Sequence, residues 1–329
     1  MEIRDGADLC FPQLLNSSCR KPILHWSEAV LLNIVLFFIS LVTVALNLLV
    51  IISISHFRKL HTATNILLLS LAVSDFLVGL LLMPLEILRK TTCWLFGDIV
   101  CVLYGYLVCY IVSASIGNIV LISVDRYVAI CDPLHYSTRI TVTRVTRSVC
   151  LCWLWYAFYS IIYMKDDLIQ PGRSNSCFGE CTLAINYVTG TVDLILNFII
   201  PVTVIVVLYM RIFVVAVSHA TAMRSHTTDV SLQHSLTLTQ RKSELKAART
   251  LAVLVVIYLV CFLPFYCYSL VEVNLTSTSY ASFLFFLFYC NSCLNPVIYA
   301  LFYPWFRKAI KLTVTLQILQ PGSCEANVL

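Results

Sequence analysis

The sequence predicts an all-α membrane protein, a seven-transmembrane helix bundle with a short amphipathic eighth helix. Three observations carry this prediction. Hydrophobic residues make up 60% of the 329 positions and charged residues only 12%, with a mean hydropathy of +0.88. Seven stretches are apolar over about the 20 residues that a helix needs to cross a bilayer. Lys and Arg concentrate in alternate connections between those stretches. A soluble domain carries about 25% charged residues, so a pair of ordinary soluble domains is excluded. The net charge of +5 reflects membrane topology and not a nucleic-acid footprint.

The spans run over residues 29–55, 64–88, 100–130, 145–163, 187–217, 251–271 and 281–302. An odd number of crossings puts the two termini on opposite sides. One set of connections holds Arg58, Lys59, Arg139, Arg144, Arg147, Arg211, Arg224, Arg241, Lys242, Lys246, Arg249, Arg307, Lys308 and Lys311. The other holds Arg4, Arg20, Lys21, Arg89, Lys90, Lys165 and Arg173. The positive-inside rule therefore places the C-terminus in the cytosol and the N-terminus outside. Residues 1–28 are then an extracellular tail, 29–303 the seven-span domain, and 304–329 the amphipathic helix and cytoplasmic tail. The leader Met1-Glu2-Ile3-Arg4-Asp5 is polar, so the first span is expected to serve as its own insertion signal. Two glycosylation sequons, at Asn16 and Asn274, fall on the expected outer side. So do six cysteines, Cys10, Cys19, Cys93, Cys101, Cys177 and Cys181, in an oxidising compartment. Residue spacing alone leaves their pairing open.

Polar groups inside the spans are costly, so each asks for a reason. An Asp at the centre of a membrane helix costs about 2.5–3.5 kcal/mol on insertion scales. Asp75 in the second span, Asn47 in the first, Ser115 in the third and Asn291, Ser292 and Asn295 in the seventh can converge on one buried cluster. Such a cluster holds helices together by hydrogen bonds, and Asp75, Ser115, Asn291, Ser292 and Asn295 form a candidate sodium site. No other cofactor is expected. Asp193 lies in the fifth span two helical turns before Pro201, and Asn197 shares its face. Intramembrane carboxylates mark functional sites by default.

The third span ends in Asp125-Arg126-Tyr127, and Glu244 opens the sixth on the same side. An Arg126–Glu244 pair would tie the two helices in one state and release them in another. Pro201, Pro264 and Pro296 each remove a backbone hydrogen bond and invite a kink. After Asn295-Pro296-Val297-Ile298-Tyr299, the stretch from Tyr303 to Lys308 reads as a helix lying on the inner membrane surface.

These landmarks carry a family resemblance. Asn47, Leu71-Ala72-Val73-Ser74-Asp75, Asp125-Arg126-Tyr127, Trp153, Pro201 with Tyr209, and Asn295-Pro296-Val297-Ile298-Tyr299 resemble the rhodopsin-like G-protein-coupled receptors, in order and across the whole chain. The seventh span and its continuation, Asn291 to Phe306, together with Asp132-Pro133-Leu134-His135-Tyr136 and Asn16-Ser17-Ser18-Cys19, look like trace amine-associated receptors. That resemblance implies a chemosensory receptor for protonated amines, with a small-molecule amine, a stimulatory heterotrimeric G protein and membrane lipid as partners, and no nucleic acid. It implies the plasma membrane, in the cilia of olfactory sensory neurons. It implies a Cys101–Cys181 disulfide and a second bridge from the tail to Cys177, assigned to Cys19 with Cys10 as the alternative. It implies an activation switch spread over Asp125, Arg126, Tyr127, Tyr209, Glu244, Phe262, Pro264, Asn295, Pro296 and Tyr299.

Two positions depart from the family pattern. Seven residues after Cys101, where amine receptors usually carry an Asp, stands Val108; and Phe262 stands where Trp is common. Asp193 is the candidate replacement for the missing charge, and in this the chain resembles the group of the family whose amine partner lies on the fifth helix. Expected cavity walls are Asn197, Tyr104 and Val108 together with Phe265, Tyr266, Phe285 and Tyr289, and the rings of the last four shield an ammonium by cation–π contact. The competing classes are a transporter, for which repeat symmetry is missing, an intramembrane enzyme, for which no His/Glu metal motif or Gly-flanked Ser is present, and a chemoreceptor for a non-amine ligand.

Overall fold

A computed structural model describes residues 9–14, 16–20, 26–183, 186–225, 253, 255–268 and 278–326. Glu244 and Asn274 lie outside the described residues, and with them the Arg126–Glu244 pair and the second sequon. Asn16 is exposed. Among the described residues, six helices are long and apolar enough to cross a membrane: Trp26–His56, Ala63–Thr91, Gly97–Cys131, Val142–Tyr163, 187–225 and Thr278–Phe302. The sixth span of the sequence is an apolar helix described over Val255–Tyr268. Thr62 and Thr141 start the second and fourth spans as N-caps, their hydroxyls accepting from the backbone N–H of Asn65 and Arg144. On sequence grounds Arg89 and Lys90 fall in the loop after the second span. The helix instead continues through Thr91 and carries both, because Arg89 folds back onto Glu86 three residues earlier.

Proline shapes two spans through widened turns. A π-turn at Leu194–Ile199 precedes Pro201, and another at Val78–Leu82 precedes Pro84. Pro201 has no N–H for the carbonyl of Asn197, and Tyr258 of the sixth helix donates its hydroxyl there instead, at 3.2 Å. Pro84 was not among the prolines expected to distort a span, although its position was as visible as theirs. At the second π-turn Ser40 donates to the Gly79 carbonyl at 2.6 Å. The backbones approach so closely there that a Cβ on Gly79 would sit 2.9 Å from Thr43 Cγ2 and 3.1 Å from the Val44 nitrogen. Gly79→Val should therefore destabilise the receptor by about 1–3 kcal/mol through overpacking. A lowered Tm of the purified protein checks this, and an unchanged Tm refutes it.

Buried polar side chains stitch the helices together. Trp153 donates its indole N–H to Ser70 at 2.9 Å, and Ser70 donates to Asn118 at 2.8 Å, joining the fourth, second and third spans. Asn47 donates to the carbonyls of Thr43 and Ser292, joining the first span to the seventh. Asn295 donates to Asp75 at 2.7 Å, and Ser115 to the other oxygen of Asp75 at 3.4 Å. Ser292 is a further hydrogen-bond partner of Asp75, and Asn291 is buried on the same helix.

The rim away from the N-terminal tail is closed by the third span. Arg126 pairs with Asp125 and donates to Thr64; Tyr136 donates to Asp125 at 2.9 Å. Tyr136 sits on the short helix Pro133–Arg139. His135 and Arg139 hold Asp132 at the start of that helix, at 2.7 and 3.1 Å, and keep its carboxyl below the usual carboxylate range. Tyr127 packs against Ile130 and Ile212, bringing the third and fifth spans together. Tyr299 is fully buried, its ring against Tyr303 and Phe306. The eighth helix is Pro304–Val314. It buries Trp305, Phe306 and Ala309 and exposes Arg307, Lys308 and Lys311, as an interfacial helix requires.

Candidate ligand-binding site

At the tail-side rim, three disulfides staple a cap: Cys10–Cys93, Cys19–Cys177 and Cys101–Cys181. The third ties the start of the third span to the loop that follows the fourth. Cys19 is the tail partner of Cys177, and Cys10, the alternative partner on sequence grounds, joins Cys93 instead. Backbone pairing reinforces the cap, with Cys19 N–H donating to the Phe178 carbonyl at 2.9 Å and Phe178 N–H to the Ser17 carbonyl at 2.8 Å. Gly179 allows this crossing. Its φ is +102°, and a Cβ there would lie 2.8 Å from the Cβ of Cys10.

Beneath the cap, Asp193 ends the first helical segment of the fifth span, directly before the π-turn. An extra residue in a helical turn rotates everything before it by about 100°, which sets the direction in which Asp193 points. Its carboxylate is partly buried and takes three hydrogen bonds. Asn197 donates to one oxygen at 2.7 Å and Tyr159 to the same oxygen at 2.9 Å; Tyr266 donates to the other at 3.3 Å. The donors come from the fourth, fifth and sixth spans, and none is a cation. Among the described residues no Lys or Arg forms an ion pair with Asp193.

Aromatic rings continue from this carboxylate. Tyr266 stacks on Phe198 with centroids 4.7 Å apart and meets Phe265 edge-on at 5.4 Å. Phe265 meets Phe285 at 5.2 Å and Phe288 at 5.0 Å. Phe262 is buried between Tyr258 at 4.7 Å and Phe288 at 4.4 Å, with Pro264 two residues on. The described structure thus brings Asp193, Asn197, Phe265, Tyr266 and Phe285 together along one path. Val108 packs at the edge of the core and supplies no charge.

Tyr104 and Tyr289 belong to a second polar cluster that sequence reasoning missed. Tyr104 is buried and donates its hydroxyl to Glu86 at 2.6 Å, and its oxygen lies 3.3 Å from that of Tyr289. Arg89 binds both oxygens of Glu86, at 2.7 and 2.8 Å, and reaches the Cys181 carbonyl at 3.1 Å. Glu86 is fully buried. Its signal was available: an intramembrane carboxylate three residues before an Arg.

These features define a class of protein. The chain matches the 7 transmembrane receptor (rhodopsin family) over residues 46–299, and is a G-protein-coupled receptor, a class that is not enzymatic. Similar proteins narrow this further. Trace amine-associated receptor 13c of Danio rerio is 41% identical over 98% of this chain and 97% of its own length. Trace amine-associated receptor 7e of Mus musculus is 38% identical over 98% and 92%, and trace amine-associated receptor 5 of Rattus norvegicus 38% over 95% and 94%. The chain belongs to the trace amine-associated receptors.

Proposed function

We propose that this receptor detects a protonated amine arriving from outside the cell, with the ammonium held against Asp193. The observation that carries this is a carboxylate within a membrane span met by three neutral donors and, among the described residues, no cation. Such a group is balanced by a cationic ligand at the depth where the rings of Tyr266 and Phe265 add cation–π attraction. The N-terminal tail then faces outward, and the rim bearing Arg126 faces the cytosol, in agreement with the distribution of Lys and Arg.

Signalling follows from the contacts around the carboxylate. An ammonium at Asp193 competes for the hydroxyl of Tyr266 and shifts the sixth helix relative to the fifth. The Tyr258–Asn197 bond across Pro201 and the Phe262 ring pass that shift down the bundle. At the cytosolic rim Arg126 leaves Asp125 and Thr64, Tyr209 and Tyr299 rearrange, and a groove opens for a G protein of the stimulatory class that raises cyclic AMP. The proposed setting is the plasma membrane of olfactory cilia. Asp75, Ser115, Asn291, Ser292 and Asn295 offer one carboxylate and several neutral oxygens, a donor set suited to a hard cation. We assign sodium to it as an allosteric ion holding the resting packing.

The test is an amine screen in cells carrying a cyclic-AMP reporter, repeated across pH. A protonated agonist loses potency as the medium rises above the amine's own pKa. An agonist of constant potency through that range rejects the amine reading in favour of an uncharged odorant. Val108→Asp restores a carboxylate on the third helix and should shift preference from monoamines to diamines; an unchanged order of potency refutes that placement.

A further inference from the structure

Among the described residues, the mouth of the same site carries more positive than negative charge. Arg89 and Lys90 are adjacent on the last turn of the second helix, and each lies 6.0 Å from the ring centroid of Phe285. Among the described residues the carboxylate close by is Glu86, which is taken up by Arg89 and Tyr104. The described acidic groups of the cap are committed elsewhere. Asp166 and Asp167 pair with Arg173, Glu180 accepts from the Ser176 N–H, and Asp98 accepts from Asn175. Among the described residues no carboxylate pairs with Lys90. Its ammonium is partly buried over a ring, where pairing with an anion gains more than in open water.

That ring connects directly to the amine end. Phe285 touches Phe265, Phe265 touches Tyr266, and Tyr266 donates to Asp193. Among the described residues, one wall of aromatic faces therefore runs from an anion without a cationic partner to a cation without an anionic one. We propose that the receptor's ligand class is zwitterionic: an ammonium at Asp193, an apolar chain along Phe265 and Phe285, and a carboxylate at Lys90. This rests on the amine assignment above and names what the other end of the ligand carries. Arg89 is a positioning residue here, with three of its N–H donors engaged by Glu86 and the Cys181 carbonyl. Lys90 determines specificity, since a second ammonium at that end meets like charge and a methyl group gains no ion pair.

The probes are three series of matched chain length: n-alkylamines, α,ω-diamines and ω-amino acids. They are applied to the intact receptor with surface abundance measured in parallel. At the best length the ω-amino acid should be at least about tenfold more potent than the alkylamine, the ratio that 1.4 kcal/mol represents. Lys90→Ala should remove that advantage and leave the alkylamine unchanged. Lys90→Arg should retain it, and Lys90→Glu should shift preference to the diamine. The proposal is overturned if alkylamines act through Asp193 while ω-amino acids are equal or weaker on the wild type. It is equally overturned if Lys90→Ala and Lys90→Glu weaken all three series alike. Activity that survives loss of Asp193, or silence to every series, removes the amine assignment as well.

Discussion

Asp193→Asn should lower amine potency by two to three powers of ten without changing the amount of receptor at the cell surface. The substitution keeps one acceptor oxygen for Asn197 and Tyr159, places an NH2 beside the Tyr266 hydroxyl, to which it can donate, and removes the charge with little change of shape. Breaking a buried ion pair by deleting one partner costs about 3–5 kcal/mol, and each 1.4 kcal/mol is about tenfold in affinity. Asp193→Ala should abolish the response, and it also strands three donors, so its surface level is the more sensitive control. Dose–response curves in the reporter cells, normalised to surface label, decide the matter. Undiminished potency in the Asn variant means that the agonist nitrogen lies elsewhere.

Glu86→Ala should remove most of the receptor from the surface, an effect on folding and not on ligand choice. Glu86 is fully buried and takes two bonds from Arg89 and one from Tyr104. Its loss leaves a guanidinium in an apolar setting, again at about 3–5 kcal/mol, a large share of a stability of about 5–15 kcal/mol. Replacing both partners by Met should restore abundance, because a buried pair exchanged for apolar side chains of similar volume is close to neutral. If the double variant is as poorly expressed as the single one, the damage comes from lost packing around Tyr104 and not from the uncompensated charge.

The frame was legible because a bilayer imposes length and polarity on each span, and both can be counted along a chain. Most described helix ends differ from the sequence reading by a few residues, the fourth span starting at Val142 instead of 145, while the fifth helix runs on to Ser225 instead of 217. Asp193 and Asn197 were legible for a similar reason: a carboxylate and an amide four residues apart in apolar surroundings share a helix face. What escaped depended on contacts between distant segments. Tyr159 and Tyr266 give no local sign that they point at Asp193, and nothing in the spacing of Cys10 and Cys93 announces their bond. The π-turns escaped because Pro84 and Pro201 alter the turn before them by an amount that spacing does not encode. Glu86 was visible and was passed over because the helix was ended at residue 88, which put Arg89 in solvent.

The cap sets an order on biogenesis. Its bridges join residues 83, 80 and 158 positions apart. Cys93 leaves the ribosome after two spans and Cys177 only after four, so Cys19 must stay reduced, or trade partners, through most of translation. Its nearest early thiol is Cys10, and a premature link between those two would leave Cys93 and Cys177 without mates. Where that link forms, thiol–disulfide exchange has to undo it before the native set of bridges can close.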